Sequence, residues 1–175
     1  MSAAPGASLT DTLCTQCGLC CDGTLFADVE LAGPAEAARL ETLGLDILED
    51  GDDSAQMQLP CAGLKGTRCS VYAHRPRCCR SFECQLLIDT RAGAVSVPRA
   101  MARIRKTRTQ VGLVKRLLGP PAADAERLPL SERCAEAMAG ESDDRAHVRH
   151  RNAKLTAAMA AVERSLRAAF RARPG

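Results

Sequence analysis

The chain has 175 residues, ten of them cysteine, with apolar residues at 46%, aromatic residues at 2% and a formal charge of +3. That length suits one ordinary domain, but with so few aromatic side chains the core must be built from Leu, Ala and Val, so the cysteine-rich half needs a further source of stability. No run approaches the roughly 18 apolar residues of a membrane span, and MSAAPGASLT does not read as a secretory leader, so a cytoplasmic protein with reduced thiols is expected rather than a disulfide framework.

Residues 1–10 are small and polar and read as a frayed end, and residues 11–23 carry the first thiol cluster. LFADVELAG then alternates weakly. Pro34 to Leu43 predicts a short helix, with Pro near its start and Gly44 as its stop. EDGDDSAQ, from Glu49 to Gln56, reads as an acidic surface turn or loop. The second cysteine block, Gln56 to Cys84, is broken by Pro and Gly into loop and short strand. Pro98 to Leu118 predicts an amphipathic helix with Ile104, Val111, Val114 and Leu118 on one side. Between Arg99 and Arg116 it carries seven Lys or Arg and no acid. Gly119 to Pro129 is a linker, and Ser131 is expected to cap a short helix ending at Gly140. Ser142, Asp143 and Asp144 open a last helix, whose apolar stripe is Leu155, Met159, Val162, Leu166 and Phe170. The expected fold class is α+β and mostly helical. It comprises a small metal-nucleated cysteine module over 11–90 and C-terminal amphipathic helices over 98–172, in one compact domain.

Nine of the ten cysteines fall within the first 84 residues, at 14, 17, 20, 21, 61, 69, 78, 79 and 84; Cys134 stands alone. Clustering at C-x-x-C spacing is the mark of shared coordination. In CTQCGLCC the sulfurs can converge in a tight knuckle, with Gly18 at positive φ, or along one face of a helix. The adjacent pair Cys20-Cys21 serves a single tetrahedral ion poorly, since neighbouring side chains diverge in extended backbone. It suits two ions, or a cluster of several metals. The ferredoxin continuation C-x3-C-P is missing, so the spacing matches an iron–sulfur run only in part. Eight thiolates on two divalent ions would carry the net charge from +3 to about −1, so mild basicity does not point to a polyanionic partner.

CTQCGLCC followed by LPCAGLKGTRCSVYAHRPRCCRSFEC resembles the YkgJ-type CxxCxxCC cysteine-cluster family, over residues 14–84. The resemblance implies zinc or iron chelation by Cys14, Cys17, Cys20, Cys21, Cys61, Cys69, Cys79 and Cys84, with Gly66, Tyr72, Arg75, Pro76, Arg80 and Phe82 as further matches. Pro60 precedes Cys61 where members often place Pro after it; Cys78 falls at a variable position and Cys134 outside the match. Arg75 and Arg80 would offset the charge of a thiolate site, which is about −2 for four thiolates on a divalent ion. Tyr72 and Phe82 would limit solvent access. His74, His147 and His150 read as surface.

The function expected is metal ion binding through eight thiolates. The cofactor would be zinc or iron, as two or more ions or as an iron–sulfur cluster. A similar cluster in flagellin lysine N-methylases keeps open an iron–sulfur redox or protein-methylation-associated role. The basic 99–116 helix keeps open a nucleic-acid-binding zinc module, although it lacks interleaved aromatic residues. No Gly-rich cofactor loop, Ser/His/Asp set or nucleotide fingerprint marks an independent catalytic domain.

Overall fold

The computed structural model describes residues 8–50, 54–121, 125–140 and 145–172. Helix α1 is Leu9–Cys17. Ser8 Oγ accepts from Asp11 N at 3.0 Å, and the Asp11 carboxylate accepts from Ser8 N at 3.2 Å. This reciprocal box satisfies donors that the first helical turn leaves without intrahelical partners. Residues 8–10, expected to fray, are therefore part of a capped helix.

Three short strands, β1 (Asp28–Glu30), β2 (Ile47–Asp50) and β3 (Ser54–Gln58), form an antiparallel sheet in the order β1-β3-β2. Val29 and Ile47 both pair with Met57. Helix α2, Pro34–Glu41, packs on this sheet and starts with Pro at its first turn. Leu31, Leu40, Leu45, Met57 and Leu59 fill the space between them. The acidic stretch 49–56 is thus no plain loop. Its two ends continue β2 and β3, because Ala55, Met57 and Leu59 alternate with Gln56 and Gln58 and bury one face.

A second, two-stranded ladder, β4 (Leu64–Lys65) with β5 (Arg68–Cys69), turns at Gly66. A 3-10 turn at Tyr72–His74 leads to α3 (Arg77–Ser81) and α4 (Gln85–Arg91). Then come α5 (Val97–Leu118), α6 (Leu130–Ala139) and α7 (Arg145–Ala169). Mostly helical α+β is the observed class. Ser131 does not cap α6: Pro129 occupies the cap position, and the Leu130 amide donates to Gly23 O at 3.0 Å. A tertiary partner takes the place of the local cap. The acidic opening predicted at 142–144 lies outside the described residues.

The larger core is helical. α5 lies along α7, and Ile104, Val111 and Val114 meet Leu155, Val162 and Leu166. Leu13 of α1 and Leu86 of α4 close the same core. Among the described residues, no helix is long and apolar enough to cross a membrane. Leu166 is 1% exposed, so Leu166→Ala is expected to cost about 2–5 kcal/mol. Met159, on the same stripe but only half-buried, should cost less on truncation; urea midpoints of the two variants measure both.

Candidate metal centre

α1 ends at Cys17 because Gly18 takes the left-handed conformation, φ 72, and returns its N–H to Cys14 O. A Cβ at Gly18 would be strained by that φ and would press on Thr67 Cα at 3.4 Å. The four N-terminal thiols therefore do not share one helical face. Cys14 and Cys17 stand a helical turn apart on α1; Cys20 and Cys21 follow in a turn held by Cys21 N to Gly18 O and Leu25 N to Leu19 O, both 3.0 Å.

The second cysteine block is pinned to that turn. Cys61 N donates to Cys21 O at 2.8 Å, and Thr67 Oγ1 donates to Thr15 O at 2.6 Å. The β4–β5 ladder places Cys69 opposite Leu64, whose own amide donates to Cys61 O at 2.9 Å. Glu36 of α2 positions α3: its carboxylate accepts from Ala32 N and from Arg77 N, both at 2.9 Å. Burial opposes ionisation of Glu36, yet those amides and Arg39 hold its carboxyl below the usual range. Beyond α3, Gln85 N donates to Phe170 O at 3.0 Å, fixing the residue after Cys84 to the end of α7.

All these connections surround one cavity of about 580 Å³. The eight family-matched cysteines line it, together with Cys78; Leu86, Leu87, Ile104 and Phe170 form part of its wall. Phe26 and Phe82 meet edge to face there, their centroids 5.0 Å apart. All ten cysteines are unbridged. Cys134 is buried within the helical core and does not line the cavity, and neither does the exposed His74. The side chain of His147 lies outside the described residues; His150 is exposed.

Burial in the cavity raises seven of its thiols. Burial pushes Cys17 and Cys21 up to about 12, with neighbouring cysteines adding to the effect. Cys14 stands at the exposed rim, yet desolvation and the adjacent Cys84 push it up to about 11. Burial raises Cys20, Cys61, Cys79 and Cys84 as well. Against this, backbone amides favour the thiolates: Leu19 at Cys17, Gly63 and Leu64 at Cys61, Leu87 and Leu86 at Cys84. Amides aimed at sulfur are what a thiolate ligand requires around it.

Three arginines stand near the thiols. Arg75 stacks on Tyr72, 3.7 Å from the ring centroid, and its charge favours the Cys14 thiolate. Arg80 lines the cavity and acts on Glu36. Arg108 was not singled out by the sequence. From α5 its Nη1 donates to Cys17 O at 2.6 Å, and it lies over Gly18. Seven positions on, Lys115 pairs with Asp22 at 3.7 Å. Two of the seven cations in the basic run therefore clasp the cysteine turn. Tyr72 and Phe82, expected to exclude solvent, line the cavity but remain 40% and 41% exposed. They form an open rim.

Among the described residues, no three His, Cys, Asp or Glu side chains already stand as a set that could hold an ion. Neutral thiols have no reason to converge; a cation supplies one by deprotonating them. The donor chemistry suits zinc or iron, both of which take thiolate ligands.

Residues 13–109, more than half of the chain, match the family model CxxCxxCC, described as "putative zinc- or iron-chelating domain". No curated protein and no solved structure matches the chain. The match runs past Cys84 and ends just beyond Arg108, so it takes in one of the two clasping cations of α5 and leaves out Lys115. Arg108→Ala removes a part-buried charged donor and is expected to cost about 1.5–3 kcal/mol, with faster loss of metal to a chelator; urea unfolding and a chelator-competition time course check the two effects.

Proposed function

We propose, on the premise that this chain belongs to the CxxCxxCC family, that it binds zinc or iron through eight thiolates: Cys14, Cys17, Cys20, Cys21, Cys61, Cys69, Cys79 and Cys84. The observation that carries this reading is the shared cavity, to which two cysteine blocks forty residues apart both contribute. A bound ion would supply the positive charge that draws the thiolates together. The chain's residues do the rest. Backbone amides of Leu19, Gly63, Leu64, Leu86 and Leu87 favour the charged sulfurs, and Arg75 offsets charge at Cys14. A reducing, cytoplasmic setting keeps such thiols free. In this reading residues 11–90 form the metal module, and 98–172 belong to the same domain by supplying Ile104 and Phe170 to the cavity wall.

The ions act in the first place structurally. Structural zinc is worth about 10–16 kcal/mol of apparent binding energy, comparable with a whole domain's stability of about 5–15 kcal/mol. Protein purified without oxygen is expected to carry more than one equivalent of zinc or iron by elemental analysis, and chelation to abolish a cooperative melt of the 14–84 region. A metal-free chain that melts cooperatively overturns the reading. Zinc leaves the protein colourless; an iron–sulfur cluster gives broad visible absorption.

Metal uptake should also release protons. Cys14, Cys17 and Cys21, raised to about 11 and 12, are protonated at pH 7, so each of them gives up a proton on binding. Apparent affinity therefore rises with pH towards those values and falls as pH drops. Calorimetric titrations in buffers of different protonation enthalpy count the protons directly.

A further inference from the structure

The cavity lies at the junction of two hydrophobic cores, and its thiols divide between them. Cys17 is part of the helical core, with Cys20 and Cys84 packed against it. Cys61 and Cys79 pack instead against the smaller core of α2 and the sheet. We propose that the eight thiolates form two separate four-sulfur sites, Cys14, Cys17, Cys20 and Cys84 in one and Cys21, Cys61, Cys69 and Cys79 in the other, divided at the Cys20–Cys21 peptide. This rests on the metal-binding reading above and assigns the ligands within it.

The backbone supports each group separately. In the first, Cys14 and Cys17 share α1, and α4, which begins immediately after Cys84, packs directly on α1. In the second, Cys61 is tied to Cys21 by the 2.8 Å amide bond. The tight turn carrying Ser70 N to Gly63 O, 2.8 Å, then returns Cys69 beside Cys61.

Electrostatic neighbours sort the same way. Cys84 acts on Cys14, Cys17 and Cys20. Cys61 and Cys69 act on Cys21, and Cys21 and Cys61 act on Cys79. The couplings that cross are those of Cys21 with Cys14 and with its chain neighbour Cys20, on which it acts more strongly than Cys84 does.

The division answers why two cysteines stand side by side. Four tetrahedral thiolates complete a structural zinc site, so a fifth ligand is superfluous in each group, and the vicinal pair lets one turn serve two ions. Cys78 touches Cys79 and belongs to neither set.

Cadmium-113 loaded into the full wild-type chain tests the partition. Two cadmium resonances are expected, with proton–cadmium correlations linking one to the β-protons of Cys14, Cys17, Cys20 and Cys84 and the other to those of Cys21, Cys61, Cys69 and Cys79. One cadmium coupled to both Cys20 and Cys21, or any cysteine coupled to both metals, overturns it. Metal counts on variants read the same point independently. Cys14→Ser with Cys84→Ser should halve the metal, as should Cys61→Ser with Cys69→Ser, whereas Cys84→Ser with Cys69→Ser should remove all of it. Equal loss in the three double variants overturns the partition, and so does a halved count in Cys78→Ser, which is expected to keep both ions. A wild-type chain that takes up no zinc, iron or cadmium rejects the metal reading itself. That outcome is distinct from a loaded chain whose couplings sort otherwise.

Discussion

Gly18 stops α1 one residue after Cys17, and the stop decides where the following sulfurs go. Had the helix continued, Cys20 and Cys21 would have stayed on the face of α1 beside Cys14 and Cys17. Instead the backbone turns, holds itself with amides of residues 21, 22 and 25, and offers Cys21 O to the incoming Cys61 N. Several later segments refer back to this turn or to the end of α1. Thr67 reaches Thr15, Arg108 reaches Cys17 O, Lys115 reaches Asp22, and Leu130 N reaches Gly23 O. A left-handed glycine and a few backbone donors thereby bring three distant segments to one place. Leu13, Leu19 and Leu25, buried on either side of the turn, anchor it in the helical core.

The surroundings of the thiols work in two directions. Low local polarity disfavours the bare thiolate and raises the thiols. Amides and arginine placed at particular sulfurs favour it again. The balance leaves the raised thiols protonated until something displaces their protons, as a thiolate-binding cation would.

What could be read from the residues follows from how local each feature is. C-x-x-C spacing is a short-range property, because a chelating loop needs its sulfurs close along the chain, so the cluster was visible at once. The stripe from Leu155 to Phe170 was visible for the same reason, since helical periodicity is local, and those side chains do fill the helical core. The position of Cys84 against α1 depends on tertiary packing and leaves no mark in spacing. Arg108 was hidden among seven similar cations, with nothing nearby to distinguish it from the exposed Arg105 or Arg116. The β2–β3 pairing was concealed by acids that suggested a loop, although the alternation Ala55-Gln56-Met57-Gln58-Leu59 was there to be read. Ser131 misled because a cap rule considers only neighbours, whereas Gly23 supplied the partner from a hundred residues away.

The bond from Gln85 N to Phe170 O has a further consequence for the order of events in the cell. Phe170 forms part of the cavity wall, and its carbonyl anchors the start of α4. A polypeptide still leaving the ribosome, with residue 84 already synthesised but residue 170 not, lacks both the wall and the anchor. That part of the cavity is therefore complete only once the last helix has been translated, so the chain finishes this wall from its far end.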